Sequence, residues 1–338
     1  MITRHIGVEI FADGENVSAD LSPYLKSITY TDNSGGESDT SEIELRDDER
    51  LFISDWLPKR GLNVSITLYR ENWTGDNRID SLPLGSFELD EVTLSYPPSI
   101  ARIKLNSIAQ SSGLRQRDES QSWEDCTLSQ IARDVATKAN VKLVYEAVND
   151  PTIKRAERSE VSALKFLEKL CNDNGLALKV TDQTLIIFDE TKLESQAPVA
   201  KLIRDATTIT RFSATATLQE IYKRAEVKYS HGQKSELISG SFDDPNKSEG
   251  KVLKINQRVE SQAEAETLAK KSLRDKNKKE VTVRLTTVGD FRLLAGNVVE
   301  LVDHGLFSGR YLIEKSTHKI SSSGYTVDLE LRKCLNGY

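Results

Sequence analysis

Gly61-Leu62-Asn63-Val64-Ser65-Ile66-Thr67-Leu68-Tyr69 alternates strictly once past its first two residues, with Val64, Ile66 and Leu68 on one face. A period of two is that of a half-buried strand, and the glycine in front of it marks a turn. The pattern returns near the far end of the chain as Gly296-Asn297-Val298-Val299-Glu300-Leu301. Each copy is followed by a second glycine, in Gly85-Ser86-Phe87-Glu88-Leu89 and in Gly309-Arg310-Tyr311-Leu312-Ile313. At equal distances beyond those glycines stand Phe87 and Tyr311, then Ile103 and Val327. In-phase aromatic and β-branched positions predict one hairpin built twice. The first copy has the longer spacing between its glycines, which an insertion over 73–81 accounts for.

Working outward, residues 1–115 read as strands over 6–11, 24–30, 42–45, 63–69, 87–94 and 103–105. Pro97-Pro98 predicts a turn, and Gly35-Gly36 within the polar stretch 31–41 predicts a mobile loop. This regular spacing predicts a small barrel or sandwich. Residues 116–200 change period. Thr127-Leu128-Ser129-Gln130 is a capping box, followed by a helical stripe of Leu128, Ile131, Ala132, Val135, Ala136 and Ala139. A strand over 141–145 comes next. A second helix opens near Ser159, turns Val161, Leu164, Leu167, Leu170 and Cys171 inward, and stops at Gly175. A hairpin around Asp182-Gln183 closes this α/β insert. Residues 201–338 return to strands over 221–229, 252–255, 281–285, 298–302, 311–320 and 325–331. One helix interrupts them, with Ser261-Gln262-Ala263-Glu264 as its capping box. Its basic half, Lys270, Lys271, Arg274 and Lys276, reads as a solvated helix end whose cations suit the dipole.

With 338 residues and 38% hydrophobic content, the chain is long enough for two or three cores. Its 46 Lys+Arg against 52 Asp+Glu give a net charge of −6, which argues against non-specific nucleic-acid binding. No apolar run approaches the ~18 residues of a membrane span, and the first residues lack the features of a signal peptide. Cys126, Cys171 and Cys334 are widely spaced without a CxxC pair, so reduced thiols in the cytoplasm are expected. None of His5, His231, His304 and His318 has metal-ligand spacing with another His or Cys. His231 and His304 sit in Ser230-His231-Gly232 and Asp303-His304-Gly305 turns, and His318 in a strand. GxSxG, Walker and GxGxxG motifs are absent, and Asp47-Asp48-Glu49 reads as a solvated turn. No catalytic residue, cofactor site, cofactor or metal site is predicted.

Read end to end, the sequence resembles the phage late control D family, the hub proteins of contractile-tail baseplates. The resemblance is carried by Ser38-Asp39-Thr40-Ser41-Glu42-Ile43-Glu44-Leu45, Asp55-Trp56-Leu57-Pro58, Leu84-Gly85-Ser86-Phe87-Glu88-Leu89-Asp90-Glu91 and Pro97-Pro98. In the insert it is carried by Ser122-Trp123-Glu124-Asp125, Thr127 to Ala132 and Phe166-Leu167-Glu168-Lys169-Leu170. Near the end come Ala295-Gly296-Asn297-Val298-Val299, Gly305-Leu306-Phe307-Ser308-Gly309-Arg310-Tyr311, His318 and Gly324-Tyr325. A glutamine common in the family before the second insert helix is replaced here by Glu157 or Arg158.

The resemblance implies a mainly β chain with two related tube-type β-barrel domains, 1–115 and 201–338, flanking a small α/β domain, 116–200. It implies a homotrimer whose six quasi-equivalent barrels adapt a hexameric tail tube to a trimeric spike. The partners would be a tail tube protein, a spike protein and other baseplate proteins. It would be assembled in the bacterial cytoplasm and reside in a virion tail baseplate or contractile injection particle, without catalytic residues. The alternatives are a tail-associated peptidoglycan hydrolase and a cell-surface glycan-binding module, for which Trp73 in Asn72-Trp73-Thr74-Gly75 is the candidate platform.

Overall fold

The computed structural model describes residues 4–73, 75–108, 112–115, 120–206, 208–217, 219, 221–231, 236–259 and 261–338. The chain is mainly β and divides into two compact units. The first holds Met1–Asp189, Thr286–Ala295 and Lys315–Asp328; the second holds Glu190–Leu285, Gly296–Glu314 and Leu329–Tyr338. Among the described residues, no helix is long and apolar enough to cross a membrane.

The first unit opens with β1 (His5–Ala12), β2 (Glu15–Asn16), α1 (Ser18–Leu21), β3 (Leu25–Asn33) and β4 (Thr40–Arg46). β5 (Asn63–Glu71), β6 (Ile79–Ser95) and β7 (Ile100–Asn106) follow. They pair in the order β3-β4-β7-β6-β5-β1-β2. Val64, Ile66 and Leu68 are buried as the alternation requires. Register is strongly specified here, because a one-residue slip would turn all three to the opposite face.

The insert adds β8 (Gln121–Thr127), α2 (Leu128–Lys138), β9 (Lys142–Tyr145) and β10 (Thr152–Arg158). It continues with α3 (Ala163–Asp173), β11 (Ala177–Thr181) and β12 (Thr184–Phe188). The predicted capping box closes α2: the Gln130 amide N–H donates to Thr127 Oγ1, and Thr127 N donates to Gln130 Oε1. The predicted stripe is buried, with Leu128, Ile131 and Ala132 in one core with Phe166, Leu167, Cys171, Leu185 and Ile187. Asp182 and Gln183 turn the β11–β12 hairpin with φ of 43° and 55°, and Gly175 ends α3 with φ of 69°.

The second unit contains α4 (Glu190–Ser195), β13 (Ala200–Ile203), β14 (Ile209–Ala216), β15 (Tyr222–His231) and β16 (Glu236–Asp243). After them come β17 (Lys251–Ile255), α5 (Gln262–Asn277), β18 (Val281–Val288), β19 (Val298–Val302), β20 (Gly309–Ser321) and β21 (Gly324–Lys333). Residues 286–288, 315–321 and 324–328 of β18, β20 and β21 count with the first unit, where 315–321 pair with β3.

The hairpin expected twice occurs twice, in one register. Val64 faces Phe87, Ser65 faces Ser86 and Ile66 faces Gly85. In the second copy Val299 faces Tyr311, Glu300 faces Arg310 and Leu301 faces Gly309. The leading glycines adopt nearly the same left-handed conformation, φ +83° at Gly61 and +89° at Gly296. The likeness extends beyond the hairpin. The order β14-β18-β21-β20-β19-β13 corresponds, strand for strand, to β3-β4-β7-β6-β5-β1. The last strand differs in direction, since β13 runs parallel to β19 and β1 antiparallel to β5.

Several local expectations are corrected. The second insert helix begins at Ala163, capped by Ser162, rather than near Ser159. The residues before it form β10, paired with β8, so Val161 is exposed and Ala163 and Phe166 face inward instead. The 31–41 stretch is not a free loop: β3 and β4 consume its ends, and Gly36 N donates to Leu178 O of the insert at 3.1 Å. Asp47 is buried and accepts from Phe52 N, organising the turn that Asp48 and Glu49 expose. Arg274 is buried in an ion-pair cluster rather than solvated with the other cations of α5. The boundary after residue 115 and Gly232 of the predicted His231 turn lie outside the described residues.

In the second unit α5 lies on the sheet β16-β15-β17, where Ala225, Val227, Ala265, Ala269 and Leu273 form the core. A Cβ at Gly240 would stand 2.5 Å from Glu266 N and 2.6 Å from Ala265 C, both backbone atoms. Backbone cannot yield as a side-chain tip can. Gly240→Ala is therefore expected to cost about 1–3 kcal/mol, the range for overpacking, read as a lowered urea midpoint. An unchanged midpoint would contradict this seating of α5.

Candidate functional site

The residues best able to do chemistry lie together in the first unit, at the end of β20. Burial is complete for Ser316 and His318, and Tyr325 is nearly as enclosed. Ser316 Oγ lies 3.1 Å from His318 Nε2 and donates to Leu293 O at 2.5 Å. His318 Nδ1 lies 2.6 Å from Tyr325 Oη. A serine, a histidine and a third group in line have the outline of an activated nucleophile. The surroundings remove that possibility, because a nucleophile must reach a substrate and this one is sealed. Tyr325 also packs on Phe291 and Trp73, and a Cβ at Gly289 would overlap its ring. His318 is thus a satisfied strand histidine, in the strand where its sequence context predicts it. Burial pushes its pKa down to about 4, against a smaller upward pull from Leu293 O and the charges of Asp32 and Asp290.

Among the described residues, His5, His304 and the thiols do not converge on a site. His5 starts β1, exposed. His304 is buried and stacked on Phe212 with ring centroids 4.5 Å apart. Burial raises the Cys171 thiol to about 12 and Cys334 to about 11, which leaves them protonated and poorly nucleophilic. Among the described residues, no three His, Cys, Asp or Glu side chains converge on a metal position. Trp73 is half-buried: its indole N–H donates to His5 O at 3.2 Å, and the Arg4 guanidinium lies 5.4 Å from its ring centroid. Its ring also meets Tyr325 edge-on, with centroids 5.9 Å apart. Thr74 of that loop lies outside the described residues.

Charge is concentrated inside instead. In the second unit Glu194 of α4 is buried and receives Arg332 of β21, Arg274 of α5 at 2.5 Å and Leu335 N at 3.0 Å. Arg332 also reaches Glu190 at 3.2 Å and Glu314 at 3.0 Å. Burial pushes the Glu190 carboxyl upward, but Lys278, Arg332 and Arg274 outweigh it and hold its pKa below the usual range. This network clamps α4, α5 and the last strand together. Sequence reading missed it because its members are scattered from 190 to 332 and no local pattern joins them.

One accessible cavity of the first unit is largely apolar. It measures about 290 Å³ and is lined by Ile10, Val17, Leu21, Ile43, Phe52 and Trp56, among others. Ile53 and Leu57, in the segment that supplies Phe52 and Trp56, are 55% and 51% exposed. Exposed apolar surface of this kind is typical of sites that meet a partner or a ligand.

The model of a family described as YQBQ-like matches residues 110–332. A curated relative, the "Probable baseplate hub protein" of Escherichia phage P2, is 30% identical over 167 residues, 49% of this chain and 41% of the relative. The match thus spans well under half of that relative's length. The crystal structure of a 43 kDa tail protein from prophage MuSo2 of Shewanella oneidensis superposes with a TM-score of 0.73 at 15% identity. That superposition covers 97% of this chain and 98% of the other. The E. coli c3393 protein, a type VI secretion component similar to T4 tail proteins gp27 and gp5, gives 0.58 at 10% identity, covering 93% and 75%. The resemblance to baseplate hub proteins read from the sequence is borne out.

The sealed histidine generates a prediction. A pKa depressed on folding supplies stability above the ordinary value near 6.5, and this is lost as pH falls toward about 4. The effect amounts to about 3 kcal/mol. His318→Gln should lose less stability than the parent between pH 7 and 4.5 in urea titrations. Parallel pH profiles of the two proteins would contradict the assignment.

Proposed function

The chain belongs to the YQBQ-like family, and from that premise we propose that it is the structural hub of a contractile-tail or injection-machine baseplate. The observation that carries the proposal is the hairpin repeated in one register within one repeated strand order. In this reading 1–115 and 201–338 are two tube-type β-barrel domains, and 116–200 is an α/β insert between them. Three chains present six similar hairpins, which suits a hexameric tail tube on one side, while the threefold axis suits a trimeric spike on the other. Closed rings arise when a heterologous contact repeats through a rotation that closes. Other baseplate proteins would bind the outer surface, and the assembly would sit in the tail baseplate of a virion or injection particle.

The hub has surfaces in place of a catalytic site, in keeping with relatives that carry hub and tail-protein names. The sealed Ser316–His318 pair gives a hydrolase no accessible nucleophile, and the anchored Trp73 ring gives a glycan no platform. With a net charge of −6 on the chain, an acidic lumen would let a polyanion pass without sticking.

Co-expression of the chain with a contractile-tail tube protein and a spike protein from the same particle is expected to yield one co-purifying complex. The same preparation should leave peptidoglycan intact in a clearing assay. Separate elution of all three proteins, or clearing of the cell wall, would contradict the hub reading.

A further inference from the structure

The β3–β4 connection carries two aspartates into the interior of the first unit and brings one cation to meet them. Asp32 and Asp39 are 3% and 1% exposed. Asp32 Oδ1 accepts from Lys179 Nζ at 2.5 Å, and its Oδ2 accepts from Ala295 N at 2.8 Å. Asp39 Oδ1 accepts from Asn33 N at 3.0 Å, while its Oδ2 is buried with no hydrogen-bond partner. The segment between the two aspartates is pressed against β11, the strand that supplies the lysine. Gly36 N donates to Leu178 O at 3.1 Å, and a Cβ at Gly35 would stand 3.0 Å from that same oxygen. The seat of the loop and the site of charge imbalance therefore coincide.

We propose that the β3–β4 loop is a proton-controlled latch on the α/β insert, seated while Asp39 carries a proton on its bare Oδ2 and loosened when that proton leaves. A buried carboxylate oxygen without a donor is costly when charged and can be relieved by protonation. Lys179 is already committed to Asp32 at short range, so a single cation serves two buried carboxyl groups.

The surrounding groups favour the proton. Burial raises the Asp39 carboxyl to about 6; Lys179 of β11 opposes this, Asp32 of β3 adds to it, and Asn33 N opposes it. The Thr181 hydroxyl on β11 opposes it as well, although Oδ2 itself has no partner at hydrogen-bonding geometry. On α3, the Glu168 carboxyl comes within 2.7 Å of where a Cβ of Gly36 would be, and burial raises it too. Within the loop Glu37 lies 3.8 Å from Lys315 of β20. The Tyr30 phenol is raised by its burial and stays neutral, and His318 stays neutral above about 4. A carboxyl raised on folding contributes stability below its ordinary pKa, and that contribution is lost as pH rises through about 6. Acid tightens this latch, opposite in sign to the effect at His318.

This inference goes beyond the hub reading and stands without it. Its test is amide hydrogen exchange of the full chain over peptides covering 33–40, corrected for the intrinsic pH dependence of exchange. With Asp39 ionising near 4 in the open loop and near 6 in the seated one, the opening equilibrium should rise about tenfold from pH 5 to 7.5. In Asp39→Asn it should be flat across that range. Equal pH dependence in parent and variant would overturn the latch. Should the variant fail to fold, the carboxyl carbon of Asp39 in the parent protein decides by NMR titration. A midpoint near 6 supports the latch, and one near 4 overturns it.

Discussion

The register of one antiparallel hairpin constrains the rest of this chain. Val64 opposite Phe87 and Val299 opposite Tyr311 place a β-branched residue against an aromatic, both buried. Such cross-strand pairs stabilise a sheet directly. They also fix phase, because the side-chain period of two makes any slip turn a buried row outward. The glycines before β5 and β19 set where each strand starts, in a left-handed conformation that costs a residue with a Cβ more. From that phase follow the positions of β7 beside β6 and β21 beside β20, and so the two corresponding strand orders.

What the register does not fix, buried charge does. The first unit places Asp32 and Lys179 between the β3–β4 connection and the insert. The second places Glu194 among Arg332, Arg274 and the backbone of the last residues. Buried ion pairs add little net stability over well-packed apolar groups, yet breaking one partner is expensive. Their effect is therefore on uniqueness, as a penalty for any arrangement that separates the partners. Buried polar residues hold elements in place as well, and Ser316, His318 and Tyr325 are the clearest case.

The sequence made the periodic elements legible. The alternation of β5, the capping box of α2, the stripe behind it and the Asp182-Gln183 hairpin follow from local patterns. The repeat was legible too, because glycine and aromatic positions stay in phase even though the spacing between them changes. Failures came where tertiary contacts overrode local character. The 31–41 stretch has the composition of a mobile loop, but its glycines serve close approach to Leu178. Residues 152–158 are polar on both sides and became a strand only because β8 offers an edge. Arg274 looks like any cation near a helix end until Glu194, 80 residues earlier, is brought beside it. The apolar cavity near Phe52 and Trp56 was equally invisible, since its lining comes from strands and loops far apart in the chain.

If the chain forms the proposed threefold ring, its duplicated hairpin makes a definite geometric demand. A reconstruction of the chain assembled with a tube protein and a spike protein from the same particle tests that proposal. The expected result is a trimeric ring in which the β5–β6 and β19–β20 hairpins lie at one height and one radius and alternate about every 60° around the axis. A ring in which the two hairpins sit at different heights or radii, or an assembly without threefold symmetry, would contradict it.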